Sequence, residues 1–376
     1  MASRARSRSP RPGDRLRRVA RAAAVAVLSL AAVEWTLRLS ERASHAARRA
    51  LAFGPDSPVE RLGEISEVRD LVAAAPMSLA PGSSMAGYTL NPDGLRTPPY
   101  RRMPLRGVRR VVLIGYSVFA ENCGVLDAAH VATVLGRELA KSRRAEVVNL
   151  AVSGTGPKFM LRMLEIEGMR IRPDLVVVSC FVSNDLTDEP ERLDWYPAPV
   201  RFAARWRTWR LVRNAVTMAR WRAWNRSLPA APSMSEDAWL AQERGRGFLY
   251  VKPWPRWLEE HAAGLERTYD RMAGLARRGR FPLVILLVPA AVQVDAPLAA
   301  AVAAGRPDRS LDLDLPTRRL RALFARTGLP VIDLTPVYRA EAARGREVFQ
   351  ARDGHWNALG QLLAARAIAR YADGLK

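Results

Sequence analysis

From residue 108 onward the chain alternates short apolar runs with longer amphipathic stretches, and this alternation limits the choice of fold more than any other feature. Strand-like runs occur at 109–114, 146–151, 174–180, 283–288 and 330–334. Helical stretches separate them at about 127–141, 156–170, 257–278 and 313–327, with a last one from 358. Val111-Val112-Leu113-Ile114 is apolar throughout rather than every second residue, the pattern of a strand covered on both faces. Strand and helix in turn imply an α/β fold, with a parallel sheet of about five strands between helices on both faces. The final helix is well marked. Asn357 stands where an N-cap belongs, and Leu359, Leu362, Leu363, Ala367, Ile368 and Tyr371 share one face.

The N-terminus reads differently. Eight arginines, from Arg4 to Arg21, precede Ala22–Val33, twelve residues without a charge. A spanning helix needs about twenty mostly apolar residues, and reaching that length takes in Glu34 and Arg38. No convincing small-x-small cleavage site follows, which favours an uncleaved signal-anchor over a signal peptide or a surface amphipathic helix. Arginines ahead of the segment would hold the N-terminus in the cytoplasm and send the rest outward. The expectation is a cell-membrane protein with a single N-terminal pass and an extracytoplasmic domain, or an exported one if the segment is cleaved.

Three parts are expected on this reading. Residues 1–40 form the basic start and membrane segment, 41–107 an irregular lead-in rich in Pro and Gly, and 108–376 the domain. Residues 190–256 break the alternation with Trp195, Trp206, Trp209, Trp221, Trp224, Trp239 and Trp254, and eight arginines lie between 201 and 226. Trp206, Trp209, Val212 and Val216 keep helical spacing. The stretch therefore reads as a helix docked on the sheet, a lid, or a second contact with the membrane interface.

The net charge of +22 invites a nucleic-acid reading. Nearly all the basic residues are arginine, however, with lysine only at Lys141, Lys158, Lys252 and Lys376, and alanine is plentiful, as in a GC-rich coding sequence. Zinc-finger spacing, a helix-turn-helix signal and an aromatic RNA-binding signature are all missing, so no nucleic-acid partner is expected. Cys123 and Cys180 make no disulfide framework, and Cys180 falls in the third apolar run as a small core residue. The four histidines show no HxxxH spacing, and neither a metal nor a cofactor is expected.

Four short motifs sit where such a sheet delivers chemistry, just past strand ends. Gly115-Tyr116-Ser117 follows the first run, Gly154 the second, Ser183-Asn184-Asp185 the third, and Asp353-Gly354-His355 precedes the last helix. Ser117 at a strand-to-helix turn suits a nucleophile, and His355 suits its base. Asp353 suits the group that fixes the histidine tautomer. The backbone N–H groups of Ser117 and Gly154 and the side-chain amide of Asn184 suit an oxyanion hole.

Taken together, these blocks resemble the SGNH/GDSL hydrolase superfamily, in particular bacterial members with an N-terminal membrane segment. The resemblance covers about 81–372. It takes in Asn91-Pro92-Asp93-Gly94-Leu95-Arg96 before the first strand, Val112–Ser117, Val148–Gly154, Pro173–Val176 with Asn184-Asp185, and Asp353–Gly360. Tyr116 stands where those proteins usually have Asp, and Asp353 is two rather than three residues before His355. The resemblance implies a flavodoxin-like three-layer α/β/α sandwich and a serine ester hydrolase acting on acyl esters, acetyl among them, of a carbohydrate or lipid. An O-acyltransferase acting on a polysaccharide and a catalytically degenerate binding protein of the same fold are the alternatives.

Overall fold

The five apolar runs become the strands of one parallel sheet. The computed structural model describes residues 12–43, 84–85, 88–89, 91, 95–120, 125–152, 155–187, 206, 208, 234–305 and 310–375. A small antiparallel pair, β1 (Ser84–Met85) and β2 (Tyr88–Thr89), precedes the sheet. The sheet strands are β3 (Arg109–Ile114), β4 (Ala145–Asn149), β5 (Leu175–Phe181), β6 (Leu283–Val288) and β7 (Val331–Asp333). Their order is β4-β3-β5-β6-β7, each neighbour parallel. β5 and β6 are buried at every position, which explains their unbroken apolar sequence.

Helices cover both faces. Val131–Leu139 and Ala358–Gly374 pack together on one side, while Arg256–Gly279 packs with Pro157–Met163 and Leu315–Thr327 on the other. This is the α/β/α sandwich expected. Because the chain runs from β3 out to β4 and back across to β5, the order reverses between β3 and β5. Ligands of open α/β sheets bind beyond the strand ends at such a switch point. Ser117 follows β3 and Asn184 follows β5, so the two flank it.

Two helices differ locally from the sequence reading. The stretch 127–141 divides into a 3₁₀ turn, Asp127–Ala129, and the helix Val131–Leu139. His130 between them has extended backbone, and its ring accepts from Ala132 N–H as an N-cap. The second helix, Pro157–Met163, loosens into a π-turn at Leu164–Gly168.

Arg110, the second residue of β3, is fully buried, against the expectation for an arginine. It is tolerated because its donors are satisfied. Nε and Nη2 donate to Glu146 at 2.9 and 2.7 Å, and Nη1 donates to the carbonyls of Arg102 and Ile171.

Of the Trp-rich stretch 190–256, residues 234–256 are described, with Trp206 and Thr208. Helix Glu236–Gly245 and the 3₁₀ turn Arg246–Tyr250 join the domain, with Trp239 and Trp254 in its core. Trp209, Trp221 and Trp224 lie outside the described residues, as does Cys123.

The N-terminal helix runs from Pro12 to Ala43. Within it Ala20–Leu39 is long and apolar enough to cross a membrane, with mean hydropathy 1.6. Its apolar side chains, Val27 and Leu28 among them, are exposed, whereas Glu34 is only 5% exposed. The Glu34 carboxylate accepts from the Thr208 N–H at 3.0 Å, the Thr208 hydroxyl at 2.8 Å and Arg38 at 2.9 Å. A carboxylate in an apolar helix thus has its charge met by named donors.

Candidate active site

Ser117 owes its place to the residues before it. β3 ends at Ile114, and Gly115 brings the chain against β5 so closely that any Cβ there would overlap the Ser179 hydroxyl and the Phe119 ring. The chain then turns into the short helix Ser117–Ala120, with the Tyr116 carbonyl accepting from the Phe119 and Ala120 N–H groups at 2.9 Å each. Ser117 is half-buried. Tyr116, the departure from the family pattern, is only 2% exposed, so its ring packs in the core rather than over the serine.

The turn is braced from below. The Phe119 carbonyl accepts from Asn149 Nδ2 at 2.6 Å and pairs with His130 Nε2 at 2.9 Å. His130 Nδ1 already accepts from Ala132 N–H, so Nε2 carries the proton. Burial, and then the nearby Arg96 charge, lower the His130 pKa to about 3, against the pull of the Phe119 carbonyl. The ring is therefore a neutral structural donor near neutral pH.

The second loop starts beside Gly115. Leu150 N–H donates to the Leu113 carbonyl and Val152 N–H to the Gly115 carbonyl. Gly154 follows but lies outside the described residues. Asn184 opens the short helix Asn184–Thr187 after β5, and Asp185 accepts from the Phe181 N–H at 3.0 Å to close that turn.

Asp353 and His355 sit at the tip of a short hairpin. Phe349 bridges to Trp356, Gln350 N–H donates to the His355 carbonyl at 2.9 Å, and Asn357 N–H donates to the Val348 carbonyl at 3.0 Å. The tip turns at Arg352, whose φ of 53° lies in the left-handed region. At the base, Gly360 packs against the Val348 backbone where a Cβ would overlap the carbonyl. Asn357 caps the last helix, accepting from Leu359 and Gly360 N–H at 2.9 and 3.1 Å.

The spacing of two between Asp353 and His355 has a physical reading. Asp353 Oδ1 accepts from both the backbone N–H of His355, at 3.0 Å, and its ring Nδ1, at 2.6 Å. One oxygen thus closes a tight turn and orients the imidazole. A carboxylate only accepts, so the proton sits on Nδ1 and Nε2 carries the ring's lone pair. Burial pushes the Asp353 carboxyl up, but the hydrogen bonds and charge of His355 outweigh it and hold it below the usual carboxylate range.

The hairpin and the Ser117 turn are packed together. The ring of Phe119, two residues after Ser117, meets the ring of Trp356, next to His355, edge to face at 6.2 Å. Trp356 is fully buried and also meets the Tyr338 ring edge to face. Gly354 faces the Phe181 ring at the end of β5, so the hairpin also abuts the strand that leads to Asn184. Three separate segments therefore meet at one end of the sheet.

Residues 237–375 match the family model described as the SGNH hydrolase-like domain of acetyltransferase AlgX. Over that span the chain is similar to SGNH hydrolase-like domains. The matched span holds Asp353 and His355 and begins after Ser117, Gly154 and Asn184. Solved structures similar to this chain include a lipase/acylhydrolase from Enterococcus faecalis, 18% identical, covering 71% of this chain and 96% of that one with a TM-score of 0.38. The acetyl xylan esterase AlAXEase is 12% identical, covering 71% of this chain and 100% of its own, with a TM-score of 0.38. TesA is 14% identical, with the corresponding shares 71% and 100% and a TM-score of 0.40. The comparison with curated proteins returned no match.

One neighbour of the site was not legible in the sequence. Arg246, on the 3₁₀ turn Arg246–Tyr250, donates from Nη2 to Asn184 Oδ1 at 3.2 Å. Its other nitrogen, Nη1, donates to the buried Glu243 at 3.2 Å. Only the i,i+3 spacing of Glu243 and Arg246 hinted at a pair, and nothing local linked it to a residue 62 positions away.

Proposed function

We propose that the protein is a serine ester hydrolase of the SGNH type, held at the membrane by its N-terminal helix, that cleaves acyl esters of a carbohydrate or lipid. The observation that carries this reading is the oriented Asp353–His355 pair on a hairpin packed against the turn that Ser117 opens. In it, Ser117 Oγ attacks the acyl carbonyl carbon while His355 Nε2 takes the hydroxyl proton. The carbonyl oxygen becomes an oxyanion held by the backbone N–H groups of Ser117 and Gly154 and the side-chain amide of Asn184. Collapse expels the alcohol, which receives the proton from His355 and leaves an acyl-serine. Water then attacks with the same base, releasing the acid. Asp353 stays ionised and stabilises the imidazolium.

A second reading shares every step but the last. The match to an acetyltransferase domain favours a sugar hydroxyl, rather than water, as the group that attacks the acyl-enzyme. The partition decides between them. A short-chain aryl ester is expected to be turned over by the full chain in detergent, releasing free acid as the main product even with a neutral oligosaccharide present. Acylated oligosaccharide as the main product would move the protein to the transferase reading, and no turnover of any ester would leave a binding protein.

The domain at 108–376 is placed outside the cytoplasm and the segment at 1–40 is its tether. Eight arginines ahead of an apolar helix support that orientation. A phosphatase fused to the C-terminus, active only when exported, is expected to be active in cells. A fusion that works only with a cytoplasmic reporter would reverse the orientation.

A further inference from the structure

We propose that Arg246 is a positioning residue for the oxyanion hole, setting which end of the Asn184 side chain faces the reacting carbonyl. The proposal rests on the ester-hydrolase reading above and assigns that site a residue which neither the motifs nor the family resemblance name.

A carboxamide has a built-in ambiguity. Its oxygen and nitrogen are nearly the same size, and turning the group by half a turn exchanges a donor for an acceptor at little steric cost. For an oxyanion hole the difference is decisive. The NH₂ end stabilises the developing charge, while the carbonyl end repels it. Asn184 needs a neighbour that accepts only one orientation.

Arg246 is such a neighbour. A guanidinium has donors and no acceptor, so the group facing it must be Oδ1. The contact found is the one this requires, Nη2 to Oδ1 at 3.2 Å, and it leaves the NH₂ end directed away from Arg246. A charged donor on the carbonyl also polarises the amide and makes its N–H groups better donors.

The arginine is itself held. Glu243 is 2% exposed and takes the other arm of the guanidinium. Glu243 lies on helix Glu236–Gly245, which begins at an N-cap where Ser235 accepts from Ala238 N–H at 3.3 Å and is pinned to the core by Trp239. Beyond Arg246 the turn continues to Tyr250, fully buried with its hydroxyl beside Ser183, the residue before Asn184. The Arg246–Tyr250 turn therefore flanks the Asn184 loop at two points. Arg246 keeps its side chain 24% exposed, as expected at the rim of a cleft rather than in a sealed core.

A double-mutant cycle on the full chain in detergent, read with a short-chain aryl ester, tests this. Asn184→Ala is expected to lower kcat by about 10²–10³, the usual cost of one oxyanion donor. Arg246→Gln, whose amide can pair with either end of Asn184, is expected to lower kcat about tenfold with KM nearly unchanged, while Arg246→Lys, still a pure donor, stays within about threefold of wild type. In the Asn184→Ala background Arg246→Gln is expected to change kcat by less than about twofold, because the group it orients is gone. The same tenfold loss in that background, or a loss confined to KM, would overturn the positioning role and leave the hydrolase reading standing. If Arg246→Gln lowers the melting temperature, the Lys variant and the cycle still decide, since a purely structural loss carries over unchanged into the Asn184→Ala background. Turnover that survives Ser117→Ala would instead overturn the hydrolase reading, and the role of Arg246 with it.

Discussion

Ser117→Ala is expected to abolish turnover of short-chain aryl esters and to leave the melting temperature close to that of the wild type. The variant removes only Oγ from a half-buried position at the start of a four-residue helix, and alanine has the higher intrinsic helix propensity of the two. Packing around the turn comes from Val118, Phe119 and Ala120, all buried, and these stay in place. In serine hydrolases, loss of the nucleophile costs on the order of 10⁶ in kcat, and binding and the oxyanion hole supply what remains. Initial rates and thermal unfolding of the two proteins, measured side by side, separate the outcomes. Equal turnover would remove Ser117 from the chemistry, and a large fall in melting temperature would make it a structural turn residue.

Asp353→Asn is expected to reduce kcat by about 10⁴ while the hairpin keeps its shape. The amide is nearly isosteric with the carboxylate, and the bonds from Gln350 N–H to the His355 carbonyl and from Asn357 N–H to the Val348 carbonyl hold the hairpin even where the NH₂ end turns to the ring and the bond from the His355 N–H is given up. At the ring the change is decisive. The Asp353 carboxylate now forces the proton onto Nδ1. An amide can donate to Nδ1 instead, which moves the proton to Nε2 and leaves that nitrogen unable to take the proton the proposed mechanism requires. The negative charge that stabilises the imidazolium is lost as well. Rates together with the ring nitrogen chemical shifts of His355 check both parts. A variant that keeps full activity would show that His355 needs no orienter or takes it from another group.

How far the sequence carried is clearest at individual residues. The five strands were legible because their apolar runs follow from being covered on both faces, a local property that neighbours in sequence share. Ser117, Asn184, Asp353 and His355 stand out in the sequence because each lies next to a strand end or a helix cap, and the structure finds them at those positions. Helix boundaries were less so. His130 reads as one more residue in a helical stretch, yet its ring caps the next helix and holds the Phe119 carbonyl. Arg110 reads as a surface charge, and only the folded chain brings Glu146 and the carbonyls of Arg102 and Ile171 to its donors. Arg246 fell inside a stretch that composition marked as a departure from the fold. Its contact with Asn184 depends on where a turn packs in three dimensions, which no short-range pattern encodes. Tyr116 shows the opposite case: the sequence placed a phenol next to Ser117, and the folded chain buries it in the core.

On the proposed function, Ser117 is an activated nucleophile. A fluorophosphonate reacts with a serine whose hydroxyl is deprotonated by a neighbouring base and leaves a covalent adduct on Oγ. The direct measurement is therefore peptide mapping by mass spectrometry after brief labelling of the full chain at neutral pH, with Ser117→Ala and Asp353→Asn treated in parallel. The expected result is one adduct, on the peptide that carries Ser117, absent from Ser117→Ala and formed far more slowly in Asp353→Asn. An adduct on a different residue, or an unlabelled Ser117 in protein that still hydrolyses esters, would contradict it.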